Sequence, residues 1–126
     1  MGIMNIFFWI LQGLLAIAFL MAGSMKVVTP KAKLEEKMAW AVPLQTWMVK
    51  GIGAAEILGA VGLIIPSATK IAPVLTPVAA CGLLIIMAGA VAIHARQHEA
   101  SGVITTLTLG VCSALIAWAR FGPFRI

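Results

Sequence analysis

Four stretches of this chain are apolar and almost free of formal charge, and that constrains the fold more than anything else in the sequence. Met1 to Met25 holds no Asp, Glu, Lys or Arg. Neither does Ile71 to Ala95, nor Ala100 to Ala119, nor Ile57 to Thr69. A helix of roughly 20 apolar residues crosses the hydrocarbon core of a bilayer. Three of the runs meet that length directly. The fourth meets it once Glu56 is admitted, giving a span from Gly51 to about Pro66 with Lys70 beyond it. Only 10% of the chain is charged and 62% is hydrophobic, too little charge for a soluble domain of 126 residues. The sequence therefore predicts an all-α transmembrane antiparallel four-helix bundle in a single membrane domain, 1–126.

Helices are expected over about 3–25, 50–65, 74–96 and 103–119. Pro66 should end the second, because proline lacks an amide donor and disfavours helix before it. The segment from about 30 to 48 places Lys31, Lys33, Glu35, Glu36 and Lys37 ahead of Met38, Trp40, Val42 and Leu44. That segregation predicts a short interfacial helix broken near Pro43, with Trp40 and Trp47 at headgroup level. Met1 to Phe8 has no basic residue, so the first run is expected to stay as a span, although Ala22-Gly23-Ser24 imitates a signal-peptide cleavage site. Cys81 and Cys112 both fall inside expected helices, where buried thiols usually pack; there is no C-x-x-C.

The net charge of +5 does not indicate nucleic acid. Lys26, Lys31, Lys33, Lys37, Lys50 and Arg96 fall on the side of loops 1 and 3, against Lys70, Arg120 and Arg125 on the other. This bias places loops 1 and 3 in the cytoplasm and both termini outside, with membrane lipids as the acidic partner.

Glu56 is the residue that calls for a function. A charge at the bilayer centre costs at least ~2.5–3.5 kcal/mol on insertion scales, so an acid there needs a partner. Antiparallel alternation supplies two. Lys26 ends the first helix and His94 the third on the face from which Glu56 is about 9 Å deep, counted from Lys50 at 1.5 Å per residue. Gln12 and Arg120 belong elsewhere. Small residues share the helical faces of these groups. Glu56, His94 and Lys26 are the catalytic candidates; Phe19, Gly23, Trp40, Gly59, Ala60, Met87, Ala90 and Arg96 are the ligand-binding candidates. Three readings are open: a structural Lys26–Glu56 pair between helices, a proton-transferring or ligand-binding pocket, and a metal site of His94, His98 and Glu99. The last lacks a clear third ligand, and no metal is expected.

The runs Phe19-Leu20-Met21-Ala22-Gly23-Ser24-Met25-Lys26, Gly53-Ala54-Ala55-Glu56 through Pro66, Met87-Ala88-Gly89-Ala90 leading to His94, and Ala117-Trp118-Ala119-Arg120-Phe121 occur in that order. Together they resemble the four helices of DoxX-like integral membrane proteins. The resemblance implies a mostly bacterial, inner-membrane four-helix protein. Some relatives are subunits of thiosulfate:quinone oxidoreduction or of an oxidative-stress complex. Lys26, Glu56, His94 and Arg120 are the positions it carries over. The resulting expectation is an accessory subunit of a membrane redox or stress system, with a soluble oxidoreductase or quinone as partner, a quinone or lipid-like ligand, and homo-oligomers possible in principle. The alternatives are an enzyme using Glu56 and His94 for acid–base chemistry on a lipophilic molecule, and a membrane scaffold or assembly factor.

Overall fold

The computed structural model describes residues 2–30, 32–33 and 45–125. Among them it forms four helices and no strand: α1 (Ile3–Val28), α2 (Thr46–Thr69), α3 (Leu75–Arg96) and α4 (Ala100–Phe121). All four are long and apolar enough to cross a membrane. Most of the expected interfacial helix, with Trp40, lies outside the described residues.

Close approaches give the register. Gly23 meets Gly53 while Gln12 meets Leu63, so α1 and α2 are antiparallel. Gly59 meets Leu83 and Ser67 meets Thr76, so α2 and α3 are too. Gly102 meets His94 and Gly110 meets Met87, which sets α4 against α3. Arg120 then reaches Asn5 and Gln12, closing α4 onto α1. One large apolar side chain from each helix is completely enclosed: Phe19, Leu63, Leu83 and Ile116. Below them Phe8 packs against Trp118 and Phe124. Cys81 and Cys112 are free thiols packed beside this core.

The outside of the bundle is as apolar as the inside. Leu14, Leu58, Ile85 and Ile104 are each more than 60% exposed. In water such continuous apolar surface would drive association; facing acyl chains it costs nothing.

The helices run past the ends expected from sequence. α1 continues three residues beyond Met25, α2 begins at Thr46 rather than near Lys50, and α4 begins at Ala100 rather than near Val103. The largest departure is at Pro66, which does not stop α2. Proline removes the bond that the Gly62 carbonyl would accept. Thr76 of α3 supplies it instead, donating its hydroxyl to Gly62 O at 3.0 Å. Its one proton thus committed, Thr76 accepts from Ser67 at 2.6 Å. In lipid a freed backbone carbonyl must find such a partner, and a neighbouring helix can provide it. α2 ends only at Lys70, in the left-handed conformation (φ 59°).

At the α1–α2 crossing a Cβ on Gly53 would lie 2.7 Å from both Gly23 O and Lys26 Cβ. Gly53→Ala should therefore destabilise the protein by ~1–3 kcal/mol, the usual cost of overpacking. Gly13, with nothing within 4 Å of a Cβ, should accept alanine within about 0.5 kcal/mol. Equilibrium unfolding of both variants in mixed micelles checks the contrast.

Candidate functional site

Lys26 stands in the last turn of α1, where the partial negative charge of the helix end favours a cation. Glu56 lies ten residues into α2, about 15 Å along its axis by helical rise. Because Gly23 and Gly53 let the two backbones touch, the lysine stem is short of nothing. Its Nζ donates to Glu56 Oε1 at 2.6 Å. Both are buried, Glu56 to 1% exposure. Lys50 adds a second ammonium at this helix end, donating to Val27 O at 2.6 Å.

The ion pair borders a cavity of about 520 Å³ to which all four helices contribute. Ala22 and Lys26 come from α1, and Ile52 and Glu56 from α2. Ile86, Met87, Ala90, Ile93 and His94 form the α3 wall, with Ile85 and Gly89 at its exposed edge. Ser101, Gly102, Thr105, Thr106 and Leu109 form the α4 wall. His94, in the last turn of α3, faces Glu99 across the short α3–α4 link, Nδ1 to Oε1 at 3.3 Å. Gly102 makes room for the imidazole: a Cβ there would overlap the ring. Thr106 donates back to Gly102 O at 2.8 Å, which satisfies its hydroxyl within α4. The result is a mostly aliphatic chamber with an amine, two carboxylates and an imidazole on its walls. It can solvate the polar head of an amphipathic molecule and its tail together, and the acid–base groups are placed to exchange protons with that head.

The structure brings Lys26, Glu56, His94, Met87 and Ala90 to one cavity. Other candidates are placed elsewhere. Phe19 and Ala60 are in the packed core, Gly23 is in the α1–α2 crossing, and Gly59 lies under Leu83. Phe19, Gly59 and Ala60 share helical faces with the ionisable groups but lie deeper, where the helices close, while Gly23 is level with Glu56 and taken up by contact with Gly53 and Ile57. Arg96 is exposed at the end of α3. Trp40 is outside the described residues. Among the described residues no group of three His, Cys, Asp or Glu side chains is arranged to hold a metal ion. His98 is exposed in the link with φ 57°, while Glu99 turns to His94. The α4 wall was missed from sequence because it carries no charge. Ser101 and Thr105, spaced i, i+4 and opposite His94 by antiparallel register, were the available signal.

A second polar cluster occupies the other end of the bundle. Arg120 is 2% exposed. Its Nε donates to Gln12 Oε1 at 2.6 Å and its Nη1 to Asn5 Oδ1 at 2.5 Å and Phe124 O at 2.9 Å. Gln12 in turn donates to Leu63 O at 2.7 Å, which fixes its oxygen toward the arginine. The guanidinium also lies 5.9 Å and 5.7 Å from the ring centres of Phe8 and Trp9. Sequence reading set Gln12 and Arg120 apart from the Lys26 cluster but did not join them to each other.

These features define a small integral multi-pass membrane protein: a four-helix bundle closed by a buried arginine network at one end and hollowed beside a buried ion pair at the other. The DoxX-like family model matches residues 10–116, and the chain belongs to that family. No curated protein and no solved structure matches it.

Removing one member of a buried pair typically costs ~3–5 kcal/mol, whereas removing both costs less. Glu56→Gln and Lys26→Met should each destabilise the bundle by that order, and the double variant should recover part of the loss. A double-mutant cycle by denaturant titration in micelles measures the coupling; additive losses would mean the pair is not coupled.

Proposed function

We propose that this protein holds an amphipathic, quinone- or lipid-like molecule in its cavity and serves as the membrane-embedded accessory subunit of a redox or stress-response system. The observation that supports binding is the cavity itself: about 520 Å³, with aliphatic walls and a polar end formed by Lys26, Glu56, His94 and Glu99. A purely structural ion pair needs no chamber beside it. Ile85 is 73% exposed on the rim, so the natural route of entry is sideways from the acyl chains. The accessory role in a redox or stress system, with a soluble oxidoreductase or quinone as partner, rests on the resemblance to DoxX-like subunits.

One observation favours a second reading. Glu56 and His94 border the same cavity, the arrangement an acid–base enzyme acting on a lipophilic substrate would need. An enzyme would lose turnover in Glu56→Gln beyond what the loss of bound ligand explains. A scaffold would be indifferent to the cavity altogether.

Bacterial inner-membrane residence with loops 1 and 3 in the cytoplasm completes the proposal. Lys26 and Arg120 are buried in the bundle and drop out of the charge count. The bias of the remaining bases, Lys31, Lys33, Lys37, Lys50 and Arg96 against Lys70 and Arg125, keeps its direction.

Gly89 gives a clean test. It lines the cavity, and a Cβ there meets nothing within 4 Å. Gly89→Phe should obstruct the chamber at its exposed edge without disturbing the helices. Native mass spectrometry of protein taken from its own membranes should show a bound lipophilic mass in the wild type and its loss in Gly89→Phe at unchanged thermal stability. The same adducts on both proteins would contradict the proposal.

A further inference from the structure

The buried arginine at the closed end of the bundle has more charge than its surroundings neutralise. A guanidinium offers five N–H donors. Arg120 uses Nε and Nη1, and every acceptor they reach is neutral: Gln12 Oε1, Asn5 Oδ1 and Phe124 O. Its Nη2 is sealed from solvent and has no hydrogen-bond partner. Among the described residues no carboxylate forms an ion pair with it. The α4 C-terminus supplies partial negative charge equivalent to roughly half a unit, which leaves the site net positive.

A second cavity, of about 360 Å³, adjoins this residue. Its wall is formed by Arg120 and Phe121 of α4, Arg125 just beyond the helix, and Pro73 and Val74 of the α2–α3 link. Arg125 is exposed, and its Nε donates to Phe121 O at 3.2 Å, which leaves both terminal nitrogens of that guanidinium out of this bond. Two cationic side chains bordering one small cavity repel each other, and an anion between them would relieve that repulsion. Planar donor edges of this kind match tetrahedral oxyanions, phosphate above all. The position, where α4 ends and α2 turns into α3, is at the end of the membrane spans, the level of lipid headgroups.

We propose that Arg120 and Arg125 form a phosphate-anion site at the end of the bundle opposite the ligand cavity. Arg120 is its buried half, held by Asn5 and Gln12, and it contributes the unsatisfied Nη2, which an anion reaches once the covering side chains shift. Arg125 is the exposed half, which meets the anion from the surface. The phosphate would come from an anionic phospholipid headgroup or from free phosphate. The site shares no residue with the Lys26–Glu56 cavity, so its failure leaves the ligand-binding proposal untouched.

The test uses the full chain in micelles and native mass spectrometry. Three probes separate the sources: phosphatidylglycerol, diacylglycerol with the same acyl chains, and inorganic phosphate. Phosphatidylglycerol should be retained about tenfold better than diacylglycerol, as expected for a charge-assisted contact. Arg125→Gln lies on the surface and leaves the buried network intact; it should remove most of that preference. Arg120→Lys keeps the charge but loses the planar fork and should weaken it as well. Displacement of the lipid by inorganic phosphate assigns a free-phosphate source, and its absence assigns the headgroup. Equal retention of phosphatidylglycerol and diacylglycerol, or a preference unchanged in Arg125→Gln, overturns the site.

Discussion

The structure depends on one interaction, the ammonium of Lys26 against the carboxylate of Glu56 inside an apolar bundle. Neither charge is tolerable there alone. The contact at 2.6 Å requires α1 and α2 to touch, and they touch because Gly23 and Gly53 present bare backbone at the crossing. The pair therefore sets the position of α1 against α2, and α3 and α4 pack around that. Such pairs contribute little net stability once desolvation is counted, while separating them is costly. Its value to the fold is specificity: a slip of one helix past the other strands two charges in lipid.

The two ends of the bundle answer the same problem differently. Where α1 begins and α4 ends, side chains fill the interior. Arg120 is surrounded by amide and carbonyl oxygens, and Phe8, Trp118 and Phe124 pack beneath it. Where α1 ends and α4 begins, the small residues Ala22, Ala90 and Thr106 leave space between the helices, and a chamber remains. The polar groups of that chamber are borrowed from helix ends and from the ion pair. Asymmetry of side-chain size along four otherwise similar helices thus separates a closed end from a hollow one.

How much of this was readable beforehand follows from what each feature depends on. The four spans were legible because the absence of charge over a bilayer's thickness is a property of each segment alone. The meeting of Lys26, Glu56 and His94 was legible because antiparallel alternation puts those helix ends on one face. The continuation of α2 through Pro66 was not, since the hydroxyl that satisfies Gly62 O belongs to Thr76 on another helix. The α4 wall escaped for a related reason: Ser101, Gly102 and Thr105 are ordinary membrane-helix residues, and only the packing opposite His94 gives them a role. Phe19, Gly59 and Ala60 share faces with the ionisable groups, yet helical periodicity carries no information on how deep the cavity extends. The join between Gln12 and Arg120, across almost the whole chain, needed the closed ring of helices.

Infrared difference spectroscopy of the protein in lipid bilayers, wild type minus Glu56→Gln, probes the interaction on which the rest depends. An ion pair with Lys26 predicts that the difference spectrum carries the symmetric and antisymmetric stretches of an ionised carboxylate, and that Lys26→Met abolishes them. A carbonyl band of a protonated acid in the wild type, unchanged by Lys26→Met, would contradict it.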